Sequence, residues 1–209
     1  MKKITFLLLV FAVFTTGFAQ NKVLNKALKK EYKSKMKEYK NEGWKITASS
    51  RSLDVALLLH YEKLTDANSH ELVGAVSNCR SINVCRQAAL NNAAAYYASL
   101  AGSHLKGRVV TDLATDQSGT DSSAEFDKMY AAYERLVEKE IKGEIQESYT
   151  ISRTGKDGQK ELQTYYIVNE DAATKARVRA WENAKKESEA AQKYATEVSD
   201  FINEGFPVE

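Results

Sequence analysis

Apolar residues recur every three or four positions in five stretches of the chain, the spacing that places side chains on one face of an α-helix. The predicted helices span residues 21–42, 53–64, 83–101, 124–141 and 171–203. The apolar stripe of the first helix consists of Leu24, Leu28, Tyr32, Met36 and Tyr39. Gly43 is expected to end this helix, and Ser52 is expected to cap the second.

Other stretches are short and apolar or alternating, which is typical of β-strands. The predicted strands span residues 44–48, 71–79, 106–116, 143–154 and 160–168, and the "GKDG" between the last two indicates a hairpin. Because neighbouring side chains of a strand point to opposite faces, Tyr165 and Tyr166 are expected on opposite sides of the sheet. The element order favours an α+β fold, with a small antiparallel or mixed sheet packed by helices, an N-terminal basic helix and a long C-terminal helix.

The first residues carry the pattern of a secretory signal peptide. Two lysines precede an apolar run from Ile4 to Phe14, and small residues follow, so cleavage is expected between Ala19 and Gln20. The run is shorter than the roughly 20 residues that a membrane-spanning helix needs, although a retained N-terminal anchor helix is the alternative. The predicted organisation is a signal peptide (1–19), a basic amphipathic helix (20–43), an α+β domain (44–170) and a long C-terminal helix (171–209). We expect an exported protein that is periplasmic or secreted, with association with the outer membrane as a further option.

Charge is balanced overall but not along the chain. Without residues 1–19 the chain has 28 basic and 28 acidic residues, which argues against a nucleic-acid partner. The first helix is nonetheless rich in lysine, and its lysines are candidates for contact with an anionic lipid or glycan surface: Lys22, Lys26, Lys29, Lys30, Lys33, Lys37 and Lys40. The simpler alternative is a solvated helix that packs its apolar stripe on the domain.

The only two cysteines lie in "NCRSINVC", at Cys79 and Cys85. No neighbouring residue completes a zinc site, and a thioredoxin-type pair has two intervening residues instead of five. Export favours a structural disulfide between the end of a strand and the start of the alanine-rich helix. Unpaired thiols, and redox or metal chemistry, are the alternatives.

No motif in the sequence identifies a catalytic residue, a metal site or a cofactor, and none is predicted. His60, His70 and His104 lack metal-ligand spacing, and no serine stands in a nucleophile elbow. Acids at Asp112, Asp116 and Asp121 lack the EF-hand register. A site assembled by the fold near His104 and Asp112 is the basis of the alternative that this is a small periplasmic hydrolase or ligand-binding enzyme.

Residues 71–168 resemble the LPP-type membrane-associated lipoproteins of bacterial envelopes, a family of about twenty kilodaltons. The similar segments are "CRQAALNNAAAYYASLAG", "KGRVVTDLATD", "FDKMYAAYERLVEKEIKGEIQESYTI" and "ELQTYYIVN". The resemblance implies a compact α+β envelope protein without a known enzymatic activity. Unlike those proteins, this chain has no cysteine for lipidation after the predicted cleavage site.

The leading functional hypothesis is therefore an exported, non-enzymatic cell-envelope protein with a binding or assembly role. Its expected partner is an unidentified envelope protein or a second copy of the chain. Peripheral membrane binding through the first helix is a further alternative.

Overall fold

The computed structural model describes residues 25–112, 123–155 and 158–203. These ranges contain seven helices and four strands. In chain order the elements are α1 (residues 25–42), β1 (Lys45–Thr47), α2 (Leu53–Lys63), β2 (Ser69–Val76), α3 (Ile82–Asp112), α4 (Ser123–Ile141), β3 (Gln146–Thr154), β4 (Lys160–Asn169), α5 (Glu170–Ala184), α6 (Glu189–Lys193) and α7 (Ala195–Asn203). The α+β class expected from the sequence is confirmed.

The four strands form one antiparallel sheet in the order β1-β3-β4-β2. The predicted hairpin joins β3 to β4, and Tyr149 lies opposite Tyr165 in its register. A bulge between Glu147 and Tyr149 shifts the register by one residue, which changes which side chains of β3 face each side of the sheet. β4 lies in the interior of the sheet, and its residues 164–168 are all buried.

Helices cover both faces of the sheet. On one face, α1 and α2 enclose a core that we call the α1-side core: Tyr39, Trp44, Ala56, Leu57, Tyr61, Tyr149, Ile151 and Tyr165. On the other face lies the larger α3-side core, to which α3 to α7 contribute, and which includes Leu72, Tyr166 and Val168 of the sheet. Tyr165 and Tyr166 therefore lie on opposite faces, as the strand geometry predicts.

Gly74 of β2 allows α3 to lie directly on the sheet. A Cβ atom at this position would stand 1.9 Å from the backbone oxygen of Ala89. Ala89 and the neighbouring alanines of α3 are buried, so small side chains on the helix and a glycine on the strand together permit this close approach.

The strand expected at residues 106–116 is wrong, because residues 106–112 form the last turns of α3. The paired valines at 109 and 110 favoured a strand locally. Tertiary packing overrides that preference, since Ala101, Leu105 and Val109 continue the buried stripe of α3 at intervals of four residues. Residues 113–116, and the part of the expected loop from 116 to 122, lie outside the described residues.

The single long C-terminal helix expected at 171–209 is not found in the described residues 171–203, and residues 204–209 lie outside the described residues. The chain instead forms α5, α6 and α7, with a turn at residues 185–188. The side chain of Ser188 accepts a hydrogen bond from the backbone of Ala191 (3.3 Å) and so caps a new helix. Trp181 Nε1 donates to Ser199 Oγ (3.0 Å), which ties α7 back onto α5. The sequence did not indicate this break, because alanine favours the helix throughout the stretch.

Two local predictions are confirmed. The side chain of Ser52 accepts a hydrogen bond from the backbone of Val55 (3.4 Å) at the start of α2. In the hairpin loop, Gly155 N donates to Gln159 O (2.7 Å), and Gly158 has a φ of 79° that few other residues adopt.

Gly74→Ala is expected to lower the free energy of unfolding by about 2 kcal/mol, because the added methyl group forces α3 away from β2. Gly107→Ala is the matched control, since a methyl group added to this helical glycine would have no described atom within 4 Å; it should be neutral or stabilising. Urea denaturation followed by circular dichroism measures both. Equal stability of Gly74→Ala and the unmodified protein would contradict the close packing.

Candidate binding surface on the first helix

Six of the seven candidate lysines lie in the described part of α1, and all six side chains are exposed. We call this set the lysine face: Lys26, Lys29, Lys30, Lys33, Lys37 and Lys40. Lys22, like the predicted cleavage site at Ala19 and Gln20, lies outside the described residues. No member of the lysine face forms an ion pair with a residue in the described ranges.

The lysines of this face are aligned along the helix. With 3.6 residues per turn, the six positions fall within an arc of about 100°, and the 18 helical residues extend for about 27 Å. Lys26, Lys33 and Lys40 follow one another at intervals of seven residues, or two helical turns, so the positive charge forms a continuous row. No acidic residue in the described part of α1 interrupts this row.

The glutamates of α1 lie on the opposite flank, where they have partners of their own. Glu38 pairs with Lys35 (3.3 Å), and Glu42 accepts a hydrogen bond from Trp44 Nε1 (3.1 Å) and contacts Arg153. Because these acids are engaged away from the lysine face, they do little to neutralise it.

The apolar stripe of α1 packs inward and determines how the helix is oriented. Tyr39 is buried, and Leu28, Tyr32 and Met36 are half-buried against the α1-side core. At the C-terminal end, Gly43 has a φ of 77° and the chain turns back, with a backbone hydrogen bond from Trp44 N to Tyr39 O (2.9 Å). With its apolar face occupied in this way, α1 presents the lysine face to solvent.

Aromatic side chains fill the space between α1 and the sheet. Tyr149 and Tyr165 stack with ring centroids 4.5 Å apart, and the hydroxyl of Tyr39 is hydrogen-bonded to that of Tyr149 (3.0 Å). His60 of α2 is fully buried beside both stacked rings, and its Nε2 lies 2.6 Å from Glu71 Oε2. His60 is therefore a packed histidine in this structure.

Burial changes the acidity of these phenols. Loss of water raises the pKa of Tyr39 and of Tyr149 far above the ordinary value. Burial, together with the nearby Glu31 carboxylate, also raises the pKa of Tyr61. The three tyrosine side chains are therefore uncharged across the physiological range.

The two remaining histidines lie apart from each other. His70 Nε2 of β2 stands 3.3 Å from Glu170 Oε2 at the start of α5. His104 lines a small cavity together with Tyr133 and Arg177. This cavity has room for about one water molecule. Asp112, the other residue of the hypothetical fold-assembled site, is the last residue of α3.

Arg177 is a buried polar residue that sequence reasoning missed. Its side chain is 1% exposed and donates to Glu170 Oε1 (2.6 Å), to Thr174 Oγ1 (2.7 Å) and to the hydroxyl of Tyr97. The sequence contained a signal, because Arg177 stands on the alanine stripe of α5, four residues after Ala173. Its bonds join α5 to α3, so its position indicates a structural role.

Cys79 and Cys85 lie at the distance of a disulfide bond, as expected, with 2.22 Å between the sulfurs and 5.9 Å between the Cα atoms. Cys79 follows β2, and its backbone donates to Lys160 O (2.9 Å) at the start of β4. Cys85 is in the first turn of α3, and both side chains are buried with Ala89 and Leu162. The pair thus connects the end of a strand to the start of the alanine-rich helix.

In the described ranges, no group of three or more histidine, cysteine or acidic side chains is arranged to hold a metal ion. No helix of the same ranges combines the length and the apolar character that crossing a bilayer requires.

Comparisons with protein-family models, with curated proteins and with solved structures found no significant match to this chain.

The buried tyrosines predict unfolding in alkali. Burial raises the pKa of Tyr97 and of Tyr166 to about 12, against an ordinary value of 10.0 in the unfolded chain. The stability linked to the protonated phenols is fully present below about pH 10 and is lost as the pH rises towards 12. Tyrosinate absorbance from the buried phenols should therefore appear together with the loss of helical circular dichroism. Complete ionisation of all tyrosines near pH 10 in a protein that stays helical would contradict this burial.

Removal of the disulfide by Cys79→Ser with Cys85→Ser is expected to lower the free energy of unfolding by about 2 kcal/mol, since the bond closes a short loop. Urea denaturation measures the loss. Alkylation of the unreduced protein followed by mass spectrometry provides the independent check. Two alkylated cysteines in that sample would show that the bond does not form.

Proposed function

We propose that this protein is an exported, non-enzymatic binding protein of the cell envelope, and that the lysine face of α1 binds an anionic surface. The observation that carries the proposal is the segregation of six exposed lysines into one arc of about 100°, with the glutamates of the helix on the other flank. The chemistry it would recognise is a repeated array of phosphate, sulfate or carboxylate groups, as on acidic lipids and glycans.

The packing of α1 indicates how such a surface would be bound. Tyr39 is buried, and Leu28, Tyr32 and Met36 are half-buried, so the described part of the helix has no fully exposed apolar face to insert between lipids. Binding would therefore be electrostatic and peripheral. Added salt should weaken it strongly, because exposed charges are screened within about 10 Å at moderate ionic strength.

Two further observations support parts of this proposal. The Cys79–Cys85 pair at disulfide distance is compatible with an oxidising compartment outside the cytoplasm. The cavity beside His104 has room for about one water molecule, which gives the hydrolase alternative little support at that position. The resemblance to LPP-type lipoproteins stays a prediction, as does assembly with a second copy of the chain or with another envelope protein.

The triple variant Lys30→Gln, Lys33→Gln, Lys37→Gln tests the lysine face. At low salt, each lysine near an anionic surface contributes about 1 kcal/mol, so the variant should bind about a hundredfold more weakly. The probes are vesicles that contain phosphatidylglycerol, followed by sedimentation, and heparin, followed by calorimetry. The two probes separate a lipid surface from an acidic glycan as the source of the anionic groups.

The matched control removes three exposed lysines elsewhere, by Lys63→Gln, Lys139→Gln and Lys175→Gln. It has the same net charge as the test variant and should bind nearly as well as the unmodified protein. Equal weakening by the two triple variants would mean that only net charge matters. That result, or the absence of salt-sensitive binding to both probes, would refute the proposal.

A further inference from the structure

A groove open to solvent runs between α1 and α2, beside the lysine face. Its volume is about 370 Å³, and its walls are mainly apolar. Leu28 and Tyr32 of α1 form one wall, and Leu58 and Tyr61 of α2 form the other. The hydroxyl of Tyr32 donates to Asp54, and Tyr61 lies near Glu31. Because both hydroxyls have polar partners, the two tyrosines contribute mainly the apolar surface of their rings to the groove.

Leu58 is the most exposed residue of the apolar walls. Its side chain is 55% exposed, and the neighbouring Val55 on the same helix is 44% exposed. Of these two residues only Leu58 lines the groove, and an exposed leucine on an apolar wall gains stability when an apolar ligand covers it.

Positive charge adjoins this apolar surface on one side. Lys29 lines the groove itself, and Lys26 and Lys33 stand about one helical turn away on either side. Glu62 of α2 lines the opposite side, so the groove is asymmetric, with a cationic edge along α1 and an acidic group on α2.

We infer that the α1–α2 groove binds a single-chain amphiphile with an anionic head group, such as a fatty acid. Its alkyl chain lies against Leu28, Leu58 and the two tyrosine rings, and its carboxylate is oriented towards Lys29 on the α1 edge. Charge complementarity favours this orientation over the reverse, in which the head group would meet Glu62. The inference shares Lys29 with the proposed lysine face, but it rests on the apolar walls of the groove.

Calorimetric titration of the full mature chain with dodecanoate, below its micelle concentration, tests the inference. Saturable binding of one dodecanoate is expected, and Leu58→Asp should weaken it about tenfold or more by removing apolar contact and adding a like charge. Because Leu58 is largely exposed, this substitution should leave the fold intact, which circular dichroism verifies. Lys29→Gln should weaken binding about fivefold, as expected for one exposed ion pair.

The control is Leu100→Asp, which places the same charge on an exposed leucine of α3, away from the groove. It should bind dodecanoate as the unmodified protein does, and dodecyl maltoside, a neutral amphiphile of the same chain length, should bind more weakly than dodecanoate. No saturable binding, or equal effects of Leu58→Asp and Leu100→Asp, would overturn the inference. The heparin and vesicle measurements with the lysine variants do not involve Leu58, so failure here is distinct from failure of the proposed function.

Discussion

The stacked pair of Tyr149 and Tyr165 is the contact on which the arrangement of this protein depends. The two rings stand 4.5 Å apart on the face of the sheet that α3 does not cover. Left open to water, this face would expose two large aromatic rings together with Ile151. α1 and α2 cover them, and the hydroxyl of Tyr39 completes the contact by bonding to Tyr149. The first helix is therefore part of the core.

This packing also explains the lysine face. A helix that buries Tyr39 and half-buries Leu28, Tyr32 and Met36 has one rotational orientation on the sheet. In that orientation the glutamates lie near Lys35, Trp44 and Arg153, and the six lysines point to solvent. The same apolar stripe that anchors the helix thus leaves its charged face unpaired in the described part of the chain. The groove beside Leu58 lies where α1 and α2 do not close completely over one another.

The sequence predicted those features of the structure that depend on residues close together in the chain. Local signals were sufficient for the Ser52 cap, the β3–β4 hairpin and the orientation of Tyr165 and Tyr166, because each depends on neighbouring residues. They failed where distant contacts decided the outcome. Residues 106–112 remain helical because Leu105 and Val109 pack in the α3-side core, and the C-terminal segment breaks so that α7 can bond to Trp181.

The sequence predicted the lysine face of α1 but not the groove between α1 and α2. Helical periodicity alone placed the lysines on one side of α1, because a helix fixes the angle between successive side chains. The groove required knowledge of which helix lies next to α1, and no local pattern contains that information. The close contact between Gly74 and Ala89 was equally hidden, since it joins residues of two elements whose crossing point is set by the whole fold.

Chemical footprinting of lysines tests the central claim most directly. The protein is acetylated briefly, with and without heparin, and the modified lysines are quantified by mass spectrometry. The structure predicts fast acetylation across the lysine face and slower reaction at the paired and half-buried Lys35. The proposed function predicts that heparin protects only the lysine face. Two results together would contradict the account: Lys35 reacts as fast as the six exposed lysines, and heparin protects Lys139 and Lys175 as strongly as it protects the lysine face.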